Sequence, residues 1–227
     1  MPLDIPRIKA LCFDVDGTLS DTDDQFKRKI ERLLSPVRIF FPNQDPGPIA
    51  RKLVMLSESP GNFLMGIPDK LRIDDELAAI GDFFYRQGHR NTDGFLLIHG
   101  IRNALEKLKH HYPMSVVSAR GVKSTNYFLN QYNLHEFFDC IVTAHTCEYT
   151  KPYPHPIIWA AQQMHIRPEE CVMIGDTTVD IRAAKAAGAQ SVGVLCGFGQ
   201  EKELHQSGAD LILDSTALLA DVILTFP

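Results

Sequence analysis

The chain has 227 residues, 44% of them hydrophobic and 22% charged, which is enough apolar mass for a full core with room for a modest second domain. A formal net charge of −5 excludes the broad basic field that nonspecific nucleic-acid or anionic-membrane binding requires, while leaving room for a locally positive site that takes a small phosphorylated molecule. The five cysteines (Cys12, Cys140, Cys147, Cys171 and Cys196) form no C-x-x-C pair and several lie in apolar runs, as buried free thiols do in a reducing compartment.

The first ten residues lack a basic stretch followed by an apolar one, and no apolar run is long enough to span a bilayer. A cytoplasmic protein without a membrane partner is expected, monomeric or homodimeric. Ile8–Phe13 reads as the first strand, short and apolar without alternation. From Asp21 to Asn91 no strand pattern is found. Phe26, Ile30, Leu33, Leu34 and Val37 follow helical spacing, as do Ile49, Leu53 and Leu56, and then Leu77, Ile80 and Phe84. Breaks fall at Pro42 to Pro48 and at Ser59-Pro60-Gly61.

Alternation resumes after Asn91-Thr92-Asp93-Gly94. Ile101, Ala104, Leu105 and Leu108 share a helical face before the strand Met114–Val117. The strand Cys140–Val142 and the helical face Ile157, Ala160, Ala161 and Met164 follow. Next come the strand Cys171–Ile174, an alanine-rich helix over Thr178–Ala187 with Gly188 at its cap, and the strands Ser191–Leu195 and Leu211–Leu213. The fold class is therefore α/β, a doubly wound, mainly parallel, Rossmann-like sheet. The core is assigned to residues 1–19 and 92–227 and an inserted all-helical cap to residues 20–91.

The chemistry gathers at strand ends. Asp14-Val15-Asp16-Gly17-Thr18 follows the first strand directly, and alternation in an extended segment puts Asp14 and Asp16 on one side. Two close carboxylates repel, and a hard cation or a retained proton relieves the repulsion. Gly17 lets the backbone turn, and Thr18 offers a hydroxyl to an oxyanion. A strand followed by an Asp/Gly turn is common in itself, so the remaining strand ends decide its meaning. Asp176 ends another strand and has the character of a metal ligand. Asp180, four residues on, reads either as part of the site or as a plain charge favouring a helix N-terminus. Ser118 ends Met114–Val117, where its hydroxyl and the neighbouring N–H groups, that of Ala119 included, suit phosphate oxygens; helix capping is the competing reading. Lys151 precedes the stiff Pro152-Tyr153-Pro154. Acids, a hydroxyl and an ammonium together make a phosphoryl-transfer set.

DVDGT, a strand ending in Ser, Lys-Pro and GDTTVD, in this order, resemble the four motifs of the haloacid dehalogenase superfamily. Residues 94–109 and the tail from Ile181 are similar to its phosphoglycolate phosphatase-like branch. The resemblance implies a phosphatase using Mg2+ on a small phosphorylated metabolite, phosphoglycolate-like or a sugar phosphate. It implies that Asp14 is the nucleophile and Asp16 the general acid and base. Asp14, the Asp16 carbonyl and Asp176 would hold the metal, Thr18, Ser118, Ala119 and Lys151 the phosphoryl group, and Asp180 would support the metal's surroundings. The second motif is often Ser or Thr followed by Asn, whereas Ala119 and Arg120 follow Ser118 here; Arg120 is read either as a substitute for that Asn or as a surface arginine. The cap would set specificity, with Arg51, Lys52 and Asn62 as candidate contacts. The alternatives are a phosphomutase of the beta-phosphoglucomutase type, with the same first residues, and a noncatalytic protein of this fold, which would be expected to carry a broken motif. Dehalogenase-like and phosphonate-cleaving chemistry is disfavoured, because an aspartate stands at position 16.

Overall fold

Four consecutive apolar residues, Ala10–Phe13, form β1, and all four are buried. In a parallel sheet covered on both faces this is the expected pattern, since neither face of the strand meets water. β1 pairs in parallel with β4 (Met114–Val117) on one side and with β6 (Cys171–Gly175) on the other. With β5 (Cys140–Val142), β7 (Gln190–Val194) and β8 (Leu211–Leu213) they make a six-stranded sheet in the order β5-β4-β1-β6-β7-β8. The chain winds outward from β1 through β4 to β5, then crosses back to β6 and continues to β8. The carboxyl ends of β4, β1 and β6 thus lie together where the winding reverses, the place at which open α/β sheets bind their ligands.

The computed structural model describes residues 2–21 and 95–225. All of these but Phe95 belong to one unit, Met1–Asp23 with Leu96–Pro227. The helical cap assigned to residues 20–91 lies outside the described residues except for Ser20 and Asp21, and with it Arg51, Lys52 and Asn62. No described helix is long and apolar enough to cross a membrane.

The apolar runs Met114–Val117, Cys140–Val142 and Leu211–Leu213 are strands over the spans their sequences predict. β1 starts two residues later than expected, because a 3-10 turn over Ile5–Arg7, carrying Pro6, precedes it. One small element was not anticipated. β2 (Ser20–Asp21) pairs antiparallel with β3 (Leu96–Leu97), and the Ser20 hydroxyl donates to the Leu96 carbonyl at 3.2 Å. Asp21 therefore closes a two-stranded pair instead of opening a helical region.

The helices are α1 (Ile101–Lys109), α2 (Val122–Gln131), α3 (His155–Gln163), α4 (Thr178–Ala187), α5 (Glu201–Ser207) and α6 (Leu219–Ile223). α1 buries Ile101, Ala104, Leu105 and Leu108, the face its spacing predicts. Ile157, Ala160 and Ala161 of α3 and Ala183 and Ala184 of α4 pack with Ala10, Cys12, Val117 and Met173 of the sheet. The small alanines let both helix backbones approach the strands closely. α4 ends at Gly188, whose φ of 76° belongs to the left-handed region, and the Gly188 and Ala189 N–H groups bond the Lys185 and Ala184 carbonyls at 3.1 and 2.9 Å.

A Cβ at position 188 would meet only Glu169 Cγ, at an ordinary 3.6 Å, so substitution there costs backbone strain and no collision. Gly188→Ala is expected to lower the unfolding free energy by about 1–2 kcal/mol, read as a shift of the urea midpoint at unchanged slope.

Candidate active site

The site begins where β1 runs out. The Asp14 N–H still bonds the Ile174 carbonyl at 2.9 Å, so the carboxylate is held at the last rung of the sheet. The chain then turns back on itself, with the Val15 carbonyl accepting from the Leu19 and Ser20 N–H groups at 2.9 and 2.8 Å. Gly17 makes that turn at φ 66°, and any Cβ there would collide with the Asp176 carboxylate. Position 17 thus excludes side chains for two reasons, conformation and space.

Lys151 comes from the long loop after β5 and reaches into this corner with its side chain only 4% exposed. Its ammonium donates to Asp14 Oδ1 at 2.7 Å and to Asp180 Oδ1 at 2.6 Å. A lysine in a loop is ordinarily solvated; this one is buried between two acids. Asp180 is anchored in turn. Its second oxygen accepts from the Thr177 N–H at 3.1 Å and the Thr177 hydroxyl at 2.7 Å, closing a capping box at the start of α4. The two readings left open for Asp180 are thereby joined: it caps the helix and also holds the lysine.

Asp176, at the end of β6, is fully buried. Its Oδ2 accepts the Phe198 N–H at 2.7 Å from the loop after β7, and a Cβ at Gly197 would collide with the same carboxylate. Cys196 Sγ also contacts the Gly17 carbonyl at 3.3 Å, so this loop lies directly against the turn after β1. Sequence reasoning gave residues 196–199 no role, since a C-G-F-G run carries no chemistry until it is placed beside a carboxylate.

Ser118 is buried at the end of β4, held by its N–H bond to the Val142 carbonyl at 2.9 Å. It does not cap α2, whose N-cap is Gly121; its Oγ instead accepts the Arg120 N–H at 3.1 Å, two residues on. The intervening Ala119 is half-buried. Thr18 is buried as well, and its hydroxyl finds no hydrogen-bond partner among the described residues. Asp16 takes a different partner from Asp14. Arg120 grips it with a two-pronged fork, Nε to Oδ2 at 2.5 Å and Nη2 to Oδ1. The surface-arginine reading of Arg120 is thus overturned: its side chain is 15% exposed and turned onto Asp16. The sequence could not decide this, because the direction of one loop arginine is set by tertiary contacts.

The charges do not balance. Burial pushes the Asp14 carboxyl up, the Lys151 ammonium pulls it back, and the Asp180 and Asp16 charges push it up again, to about 7. Burial alone would weaken the hold of Lys151 on its proton, but the charges of Asp14 and Asp180 outweigh it and raise its pKa. The two groups thus respond differently: burial dominates at Asp14, and the paired carboxylates dominate at Lys151. Asp14, Asp176 and Asp180 each bring one oxygen within 4.8 Å of the others. Oxygen donors in excess negative charge fit a hard divalent cation such as Mg2+. Because Asp180 already spends its oxygens on Lys151 and Thr177, Asp14 and Asp176 are the acids best suited to share it.

Residues 11–194 match the haloacid dehalogenase-like hydrolase family. The chain belongs to that family. It is 27% identical to a phosphoglycolate phosphatase of Pseudomonas putida, over 96% of this chain and 80% of the relative. It is 26% identical to a pyrophosphatase of Anoxybacillus flavithermus, over 96% of this chain and 97% of the relative. The fold superposes on a hydrolase from Pseudomonas syringae with a TM-score of 0.71 at 22% identity, covering 96% of this chain and 99% of that one. Membership of this hydrolase family agrees with the parallel sheet and with the strand-end acids described above.

The raised Asp14 carboxyl has a consequence for stability. Its folded-state value of about 7 lies above the ordinary 3.8, so the folded protein binds this proton more tightly than the unfolded chain does. That contribution is fully present below about 3.8 and is lost as pH rises through about 7. In EDTA, Asp14→Asn should therefore gain stability relative to wild type across this interval and keep a constant lead above it. Thermal melts of both proteins over a pH series check the sign; a lead that shrinks with rising pH would contradict it.

Proposed function

We propose that this hydrolase is a Mg2+-dependent phosphatase of a small phosphorylated metabolite, working through a phosphoryl group carried on Asp14. The observation that carries the reading is the buried contact of Asp14 with Lys151 at 2.7 Å, backed by Asp180 and set beside Asp176. A carboxylate on a rigid strand end, with an ammonium against it and a second acid within a few ångströms, suits displacement at phosphorus.

In this reading a carboxylate oxygen of Asp14 attacks phosphorus as the bond to the leaving oxygen breaks, and that oxygen takes a proton from Asp16. Water then attacks phosphorus and gives its proton to Asp16, while the bond to Asp14 breaks and releases the carboxylate with inorganic phosphate. Asp16 is suited to both transfers because its side chain is 24% exposed, open to the leaving group and then to water. Lys151 keeps its charge throughout and offsets that of the phosphoryl oxygens. The Ser118 hydroxyl, the Ala119 N–H and the Thr18 hydroxyl are the further donors to those oxygens. Asp14, the Asp16 carbonyl and Asp176 would hold the cation, which would supply positive charge to offset repulsion between phosphate and nucleophile. The names of the relatives support a small substrate: phosphoglycolate and pyrophosphate each carry a second anionic group close to the scissile phosphate.

The purified protein should hydrolyse p-nitrophenyl phosphate in Mg2+ and stop when the metal is chelated. Asp14→Asn should abolish turnover, and Asp16→Asn should slow it by about 10²–10⁴-fold. Release of inorganic phosphate, with no phosphate moved to another position of a sugar, separates this reading from the phosphomutase alternative. Turnover that survives Asp14→Asn would remove Asp14 from the nucleophile role.

A further inference from the structure

We infer that Arg120 reads a second anionic group on the substrate, a carboxylate or phosphate borne by the leaving group, and that it does so by giving up Asp16. The inference rests on the phosphatase reading above and names the substrate class of the same site.

The first observation is the fork itself. Two guanidinium donors, Nε and Nη2, lie on the two oxygens of Asp16. This planar arrangement is the one by which arginine recognises carboxylates and phosphates alike. The loop is stiffened for the purpose, since the Arg120 N–H bonds Ser118 Oγ at 3.1 Å, and Ser118 is itself fixed at the end of β4. The second observation is a gradient of burial. Lys151, Asp14 and Asp180 have side chains 4%, 7% and 0% exposed, whereas those of Arg120 and Asp16 are 15% and 24% exposed. The inner side of Asp14 is closed by Lys151 and Asp180. A phosphoryl group seated on Asp14 must therefore point its leaving group outward, toward the Asp16–Arg120 pair.

An anionic leaving group can take the place of Asp16 in the fork without loss of paired donors, one oxyanion for another. The same exchange frees Asp16 to serve the leaving oxygen. A neutral alcohol offers the fork no oxyanion in exchange for Asp16. Arg120 is in this sense a specificity residue, selecting substrates whose second anion lies a short link away from the scissile phosphate.

The test uses two phosphonates of similar size in Mg2+, phosphonoacetate with a carboxylate and ethylphosphonate without one, titrated calorimetrically into wild type, Arg120→Ala and Arg120→Lys. Wild type should bind phosphonoacetate about 10–100-fold more tightly, Arg120→Ala should narrow that preference to about threefold or less, and Arg120→Lys should fall between, keeping the charge without the fork. The inference is overturned if wild type shows no preference, if the preference survives in Arg120→Ala, or if both phosphonates weaken equally, which would put Arg120 on the phosphoryl group itself. Hydrolysis of 2-phosphoglycolate and ethyl phosphate is measured in parallel. Wild type that cleaves neither ester defeats the phosphatase reading, while the binding preference still decides the role of Arg120.

Discussion

The arrangement depends on one electrostatic constraint: three carboxylates, of Asp14, Asp176 and Asp180, are buried within 4.8 Å of one another, and the ammonium of Lys151 touches two of them. Taking an ion out of water costs several kcal/mol unless a partner replaces the lost hydration. Lys151 does this for Asp14 and Asp180, and its own burial is tolerable for the same reason. Burial still outweighs the pull of Lys151 at Asp14, and with the charges of Asp180 and Asp16 added its carboxyl rises to about 7. Under the phosphatase reading proposed above, acids crowded in this way at a strand end suit a cation and a phosphoryl group together.

Such a cluster survives only where the backbone is dense enough to hold it. Asp14 is fixed by the ladder to β6, and Asp180 by its capping box with Thr177. Asp176 is enclosed by two backbone segments, the turn at Gly17 and the loop at Gly197, neither of which has space for a Cβ. The side chains given up at these positions are what allow the carboxylate to be gripped from both sides. The hydrogen bond from Phe198 then fixes which oxygen of Asp176 faces that loop.

Much of this was legible in the sequence because parallel strands buried on both faces leave unbroken apolar runs. Ala10–Phe13 and Cys171–Gly175 are such runs, and the acids Asp14 and Asp176 placed directly after them stand at strand ends as a consequence. Elements that lack a period were not legible. Ser20–Asp21 is two residues long, too short for alternation to register, and its partner Leu96–Leu97 lies 75 or more residues away. The contacts of Lys151 with Asp180 and of Arg120 with Asp16 join residues 29 and 104 positions apart, and only the winding of the sheet brings them together. Cys196–Gly199 failed for a further reason: its contribution is an N–H and the absence of side chains, which residue chemistry alone does not reveal.

The site divides into two tiers that differ in how freely their partners can change. In the inner tier every exchange would leave a buried charge without its partner, since the side chains of Asp14, Lys151 and Asp180 are 7%, 4% and 0% exposed. In the outer tier Asp16 and Arg120 are paired at the opening, where solvent lowers the cost of separation and another oxyanion can enter the fork. Chemistry that must be the same at every turnover belongs on the inner tier, and recognition that differs between substrates belongs on the outer one. The departure from the usual second motif falls accordingly. Ala119 stands where an Asn is common and Arg120 follows it, yet Asp14, Asp180 and Lys151 keep their buried contacts and Asp176 lies beside them. With Arg120 reading the leaving group as inferred above, what this site accepts at the opening can change without disturbing the buried charges around Asp14.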